Sequence, residues 1–128
     1  MARAYTVAAV AVTIRVPHKW LDNVLSHHRV PGVVQGRQGV SRRLTPQAVV
    51  ALELALRISR AVGSTIGSAL ALASELLEEG SGTKTLDAQS SLRLSVDIDT
   101  VRQSVYSRMA EAVEVTPVRR RGRPPIAR

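Results

Sequence analysis

Pro17 constrains the fold of this chain more than any other single residue. The residues before it form a helical pattern: Thr6 is the predicted N-cap, and apolar side chains follow at helical spacing, namely Val7, Val10, Ala11 and Ile14. Pro17 cannot continue that helix, because a proline in a helix interior has no N–H to donate and clashes with the preceding turn. It suits the first turn of a new helix instead. The sequence therefore predicts two short helices separated by a turn at residues 15–17.

The second helix, from about Pro17 to His27, has an apolar face and a polar face. Its inner positions are Leu21, Val24, Leu25 and His28. Its outward positions are His18, Lys19, Asp22, Asn23 and Ser26. Two short helices around a tight turn, the second one rich in outward polar groups, describe a helix-turn-helix.

Residues 31–44 have a different, β-prone character. The short pieces Val33-Val34 and Gly39-Val40 flank a turn and predict a small hairpin. The arginines of this segment are Arg37 at the tip, followed by Arg42 and Arg43.

Two apolar helices are predicted next. Thr45 caps the first of them, which has Pro46 in its first turn and ends at Gly63. Ser64 is the expected cap of the second, which runs to Glu79 before a glycine-rich linker.

The last part of the predicted core is a strand and a helix. Apolar and polar residues alternate over 91–98, which indicates a half-buried strand. Asp99 is the expected cap of a final helix whose apolar face comprises Val101, Val105, Met109, Ala112 and Val113. Because the strand has no evident partner besides the hairpin, we expect it to pair with its copy in a homodimer.

The predicted fold class is mainly α with a small β component. It comprises a head at 1–79, a strand-helix extension for packing or dimerisation at 83–115, and a disordered basic tail at 116–128. The apolar stretch 4–14 is too short to span a bilayer and has no cleavage pattern after it. We expect a cytoplasmic protein with no membrane partner.

The formal net charge of +8 is concentrated at the two ends of the chain. Residues 1–44 carry +6 and residues 117–128 carry +5, whereas 45–98 carry −2 and 99–116 carry −1. Basic ends around a near-neutral middle favour a polyanionic partner.

The start of the chain resembles the DNA-binding domains of MerR-type and excisionase-type proteins. The resemblance lies in Tyr5-Thr6-Val7-Ala8-Ala9-Val10-Ala11, in Val16-Pro17-His18-Lys19-Trp20-Leu21, and in the order helix, turn, helix, arginine-tipped hairpin, helix. It covers residues 5–79 and implies a winged helix-turn-helix head. Three departures stand out. Arg15 occupies a turn position where glycine is usual, and the wing segment is longer than in the shortest versions. The strand and helix of 91–114 occupy the place of the long dimerising helix and ligand-binding region of a full MerR regulator, so effector sensing is not supported.

The resemblance also implies which residues contact DNA. The second helix would enter the major groove with His18, Lys19, Asn23 and Ser26 facing it. Asn23 would pair with adenine and Lys19 with guanine or a phosphate, while Asp22 would accept a hydrogen bond from cytosine or orient Lys19 or Arg43. Phosphates or the minor groove would be contacted by Arg37, Arg42 and Arg43.

The C-terminal tail is expected to bind DNA as well. Its segment Arg121-Gly122-Arg123-Pro124 resembles the core of an AT-hook, which lies in the minor groove of A/T-rich DNA. Arginines suit that narrow, electronegative groove, and glycine lets the backbone approach its floor. The expected contacts of the tail are Arg119, Arg120, Arg121, Gly122, Arg123 and Pro124. A solvated basic tail without groove preference is the alternative.

Catalysis finds no support in the sequence, and we expect no enzyme activity, cofactor or small-molecule ligand. The chain has no cysteine, no glycine-rich phosphate loop and no convergent acid/base pair. Adjacent His27 and His28 face different directions on a helix, which disfavours a metal site with His18. The expected function is therefore that of a sequence-specific double-stranded DNA-binding regulator. The alternatives are an architectural nucleoid-type protein that binds A/T-rich DNA, and an antitoxin-like or adaptor module that acts through 45–114.

Overall fold

A computed structural model of the protein describes residues 4–34 and 42–115, and only the backbone of 113–115. The described part is mainly helical, with small antiparallel sheets. In chain order its elements are β1 (Tyr5–Thr6), α1 (Val7–Ile14), α2 (His18–His27), β2 (Val33–Val34), β3 (Arg43–Leu44), α3 (Pro46–Val62), α4 (Ile66–Glu79), β4 (Thr83–Thr85), β5 (Arg93–Ser95) and α5 (Ile98–Val115).

The first two helices are separated by three residues, and neighbouring residues determine where α1 begins and ends. Thr6 Oγ1 accepts a hydrogen bond from the backbone N–H of Ala9 at 3.1 Å, which confirms the predicted cap. Arg15 ends the helix in the left-handed conformation, with φ of 59°. The N–H of Val16 then donates to the carbonyl of Ala11 at 3.0 Å, so two of the last carbonyl groups find donors in the turn. Pro17 lies at the N-cap of α2, so the helix begins at His18, one residue after the predicted start.

A three-stranded sheet of order β1-β3-β2 joins the chain start to the predicted hairpin. Val33–Val34 is a strand as predicted, but its antiparallel partner is Arg43–Leu44, which also pairs with Tyr5–Thr6. Gly39-Val40, expected to be the second strand, lies outside the described residues. The row Tyr5, Leu44 and Val33 faces the core, and the row Thr6, Arg43 and Val34 faces outward.

The helices α3 and α4 pack against each other and contribute much of the core. Thr45 caps α3 by accepting from the N–H of Ala48, and Gly63 ends the helix with φ of 72°, both as predicted. The predicted cap of α4 is wrong by one residue. Thr65, rather than Ser64, accepts the hydrogen bond from the N–H of Ser68 at 3.2 Å.

The predicted strand 91–98 is shorter than expected and has a partner within the chain. The observed strand is Arg93–Ser95, which pairs antiparallel with Thr83–Thr85, a segment that the sequence did not indicate as a strand. Leu92 is 60% exposed, and Ile98 already belongs to α5. The hairpin packs beside α4, where Lys84 Nζ lies 3.2 Å from a carboxylate oxygen of Glu75.

The cap of α5 also differs from the prediction. Asp97 Oδ1 accepts a hydrogen bond from the N–H of Thr100 at 3.1 Å, so Asp97 is the capping residue. Asp99 lies in the first turn and pairs with Arg102 instead. The predicted inward face is confirmed, since Val101, Val105, Met109 and Ala112 are buried. Val113, the last member of that face, has no described side chain.

One hydrophobic cluster contains residues from all five described helices. Its fully buried members include Leu21, Leu44, Leu52 and Val105, so α5 packs into the same core as the first helices. Among the described residues, no helix is both long and apolar enough to cross a membrane.

Candidate nucleic-acid interface

The outward face of α2 carries the polar side chains that the sequence predicts for it. His18, Lys19, Asn23 and Ser26 are all exposed, because Leu21, Val24 and Leu25 on the opposite face are buried in the core. Lys19 and Asn23 are four residues apart and therefore lie one above the other on the helix surface.

A shallow, open depression runs along this face. The described residues that line it are Lys19, Trp20, Asp22, Asn23 and Ser26. Within the described part of the chain, the side chains of Lys19 and Asn23 make no hydrogen bond or ion pair, so their polar groups are available to a ligand. Trp20 is half-buried and packs against the core, as expected of a structural rather than a base-stacking residue.

Arg42 crosses from the sheet to the outward face of α2. Its Nη1 lies 3.4 Å from both the carboxylate and the backbone carbonyl of Asp22, and its Nη2 donates to Ser26 Oγ at 3.2 Å. The expected alternatives, in which Asp22 orients Lys19 or Arg43, are wrong, because the described partner of Asp22 is Arg42.

Ser26 is part of the same network. Its hydroxyl group donates to the carbonyl of Asp22 at 2.9 Å and accepts from Arg42. Ser26 therefore lies on the predicted face, but its hydroxyl group already donates one hydrogen bond and accepts another within the protein.

Arg42 and Arg43 point away from each other, although the sequence places them in one set. Arg42 reaches α2, whereas Arg43 lies on the outward face of the sheet between Thr6 and Val34. Successive residues of an extended chain face opposite sides, and Leu44, which follows Arg43, is buried. Arg43 thus offers its charge at a surface separate from the α2 depression.

Unpaired positive charge is concentrated around α2. Within the described residues, six Lys/Arg side chains have no carboxylate within the 4.0 Å ion-pair distance, and four of these lie between residues 15 and 43. These four are Arg15, Lys19, Arg29 and Arg43, and the other two are Arg60 and Arg93. By contrast, Arg57, Lys84, Arg102 and Arg108 all pair with carboxylates. Among the described residues, the region from the α1–α2 turn to β3 therefore carries most of the unpaired positive charge, which favours an anionic ligand there.

The three histidines have separate surroundings. His27 Nδ1 lies 2.8 Å from the carbonyl oxygen of Asn23, and the ring of His28 packs against Gly67 at the start of α4. No group of three or more potential metal-ligating side chains occurs within residues 4–34 and 42–112.

Several predicted contacts lie outside the described residues. They are Arg37 in the segment 35–41, and Arg119, Arg120, Arg121, Gly122, Arg123 and Pro124 in the tail.

The Asp22–Arg42 pair is the feature of this surface that the sequence analysis missed. A usable signal was present: Arg42 is two residues before the apolar Leu44, and residues two apart in an extended segment share a face. A buried Leu44 would have placed Arg42 on the side of the sheet where the helices pack.

Comparison with protein-family models, with curated proteins and with solved structures finds no match to this chain.

Proposed function

We propose that this protein is a sequence-specific double-stranded DNA-binding protein that acts as a transcriptional regulator. The proposed architecture is a winged helix-turn-helix similar to those of MerR-type and excisionase-type proteins, with α2 as the recognition helix. The three-residue turn between α1 and α2 supports this architecture, as do β2 and β3, which flank the segment that contains Arg37. A bacterial-type regulator of this kind would act in the cytoplasm, at the nucleoid.

One observation carries the proposal: Lys19 and Asn23 lie exposed on one stripe of α2, with polar groups that no described residue engages. A lysine and an asparagine at this spacing match the donors and acceptors of base edges in the major groove. The helix diameter also fits that groove. In this proposal His18 flanks the base contacts, and Ser26 stabilises Arg42.

The remaining basic residues would contribute affinity rather than sequence discrimination. Arg43 on the outward sheet face and Arg37 in the segment 35–41 would neutralise phosphates or enter the minor groove. The arginines of the tail would add a second, A/T-preferring contact through tethering, which raises the effective concentration of the second site.

A homodimer is part of the proposal, because one such head covers only a half-site. The pairing of β5 with β4 removes the need for a strand partner from a second subunit, so the dimer rests on the half-site argument alone. Size-exclusion chromatography with multi-angle light scattering checks this point. A monomer at high concentration, with and without DNA, would exclude the dimer.

The decisive experiment is a genome-wide binding selection with the wild type and with K19A/N23A. We expect the wild type to enrich a short motif and K19A/N23A to lose it, because the two side chains contact base edges. The matched control is R60A/Q103A, which removes one basic and one amide side chain from exposed positions on α3 and α5. Equal enrichment by wild type and K19A/N23A would exclude α2 as the recognition helix.

An interaction module is the second candidate, and one observation favours it. Leu86 and Leu92 are 47% and 60% exposed, and they are adjacent, since the N–H of Leu86 donates to the carbonyl of Leu92 at 2.8 Å. Exposed neighbouring leucines are typical of protein-binding surfaces. If L86S/L92S abolishes binding of a partner protein, and K19A/N23A enriches the same DNA sequences as the wild type, the interaction module replaces the DNA-binding proposal.

A further inference from the structure

The candidate interface contains a carboxylate where a polyanionic ligand would bind. Asp22 is the only acidic residue among residues 1–44, and its side chain is 55% exposed on the outward face of α2. A negative charge at that position repels phosphates, so it lowers the affinity for DNA of any sequence.

The contacts of Asp22 show what it does in the free protein. It accepts two hydrogen bonds from one guanidinium nitrogen of Arg42, through its carboxylate and its backbone carbonyl, both at 3.4 Å. The other terminal nitrogen of Arg42 donates to Ser26. Arg42 is consequently held along α2, with its side chain only 20% exposed and its charge balanced by Asp22.

A free arginine at this position would bind phosphate in many registers. Phosphate contacts position a protein on the duplex but carry no sequence information. In a specific complex the register is set by the base contacts, whereas a non-specific complex can shift until its phosphate contacts are best. Freeing Arg42 would therefore strengthen non-specific complexes more than the specific one.

We propose that Asp22 is a specificity-determining residue that holds Arg42 against α2 and withholds it from non-specific phosphate binding. Discrimination between DNA sequences then depends on Lys19 and Asn23. This inference rests on the proposed function, and it assigns Arg42 to a positioning role rather than to the phosphate contact that the sequence analysis expected.

The test compares four full-length proteins: wild type, D22N, D22N/R42Q and the control D99N. Asp99 is a suitable control, because it is also an exposed aspartate paired with an arginine, Arg102, but it lies on α5. Each protein is titrated at several salt concentrations with the duplex selected by the wild type and with a scrambled duplex. Thermal unfolding confirms that each variant is folded, and D22S replaces D22N if the latter is not.

We expect D22N to bind the scrambled duplex more tightly at low salt, with a salt dependence steeper by one phosphate contact. Between 50 and 200 mM salt it should then lose about 3.5-fold more affinity than the wild type. The ratio of its affinities for the selected and the scrambled duplex should fall about threefold. This is the change in affinity that one phosphate contact gives between about 50 and 200 mM salt. D22N/R42Q should return to the wild-type salt dependence, and D99N should not depart from it.

Two results would overturn the inference but not the proposed function. The first is a salt dependence of D22N equal to that of the wild type. The second is a higher affinity for the scrambled duplex that persists in D22N/R42Q. The second result would mean that Asp22 acts only by its charge. A wild type that binds selected and scrambled duplexes equally would instead overturn the proposed function, and the inference with it.

Discussion

Arg15 is the residue at which the turn between α1 and α2 can be tested most directly. Its φ of 59° lies in the left-handed region, where a side chain with a Cβ atom costs about 1–2 kcal/mol. At an ordinary helical or extended position, alanine is more stable than glycine by about 0.4–1 kcal/mol, because glycine has more freedom in the unfolded chain.

We therefore predict that R15G is more stable than R15A, by about 0.5–1 kcal/mol. Both variants remove the same charged side chain, so the comparison isolates the backbone conformation. Urea unfolding of the two proteins measures the difference. A more stable R15A would show that the turn does not have the left-handed geometry.

The start of α5 provides a test at the scale of one element. Asp97 accepts a hydrogen bond from the backbone N–H of Thr100, and this bond holds the pKa of the Asp97 carboxyl below its usual range. We predict that D97A lowers Tm by about 3–6 °C through loss of the N-cap, whereas D99A has little effect.

The pH dependence of this effect follows from the lowered pKa. Ionised Asp97 stabilises the folded state, so its contribution is complete above the pKa of an unfolded aspartate, about 3.9. It is lost as the pH falls through the lower pKa of the folded state. The Tm difference between wild type and D97A should therefore be constant at neutral pH and shrink below about pH 4. A difference that grows on acidification would contradict the assignment of Asp97 as the cap.

A buried carboxylate lies at the contact between α3 and α5. Glu53 has a side chain that is 4% exposed, with its oxygens 2.7 Å from Arg57 Nε and 3.4 Å from Arg108 Nη1. The side chains of Arg57 and Arg108 are 37% and 28% exposed, so their charged ends can return to water if Glu53 is removed. The carboxylate of Glu53 is buried and cannot reach water unless the protein unfolds.

This asymmetry predicts the order of two substitutions. R57A/R108A should lower the free energy of unfolding by about 3 kcal/mol, because it leaves an uncompensated buried charge. E53M replaces the carboxylate with an apolar side chain of similar volume and should change the free energy of unfolding by less than about 1 kcal/mol. Chemical denaturation of both variants decides the matter, and a more destabilised E53M would show that the ion pairs themselves stabilise the fold.

At the scale of the whole molecule, the helix packing places the origin of the tail. The C-terminal part of α5 lies beside the end of α1, where Val12, Arg15, Arg108, Glu111 and Ala112 line one groove. The tail follows α5 in sequence, so it starts from the side of the molecule where the α1–α2 turn leads into α2. If α2 binds DNA as proposed, the reach of the tail should therefore include the DNA next to that site.

We predict that truncation to residues 1–116 weakens binding without changing the selected motif. Removal of five arginines should reduce the slope of log affinity against log salt by up to about 4.5. Footprinting should show that the lost protection flanks the motif on the side of the α1–α2 turn. Tm should stay constant, because the described hydrophobic cluster lies between Val7 and Met109. Loss of the motif on truncation would assign sequence preference to the tail and favour the architectural alternative.

The starts and ends of most helices could be predicted from the sequence. Thr6, Thr45 and Gly63 act within one helical turn, by a side-chain hydrogen bond or by a left-handed backbone, so the signal lies in a few adjacent residues. The outward face of α2 was predictable for a similar reason, since helical periodicity assigns each residue to a face. The wrongly predicted caps, Ser64 and Asp99, lie one and two residues from the observed caps, Thr65 and Asp97. In both places two side chains that can cap a helix lie within the same turn.

The partners across longer distances were decided only by the tertiary structure. The pairing of β5 with β4, the separation of Arg42 from Arg43, and the contact of Arg42 with Asp22, 20 residues away, depend on how separate segments pack. Periodicity shows that a segment has a face to bury, but the surface that covers this face is set by the arrangement of the whole core. The sequence by itself thus determined the helices and the polar face of α2, while tertiary packing determined which polar groups of that face are left for a ligand.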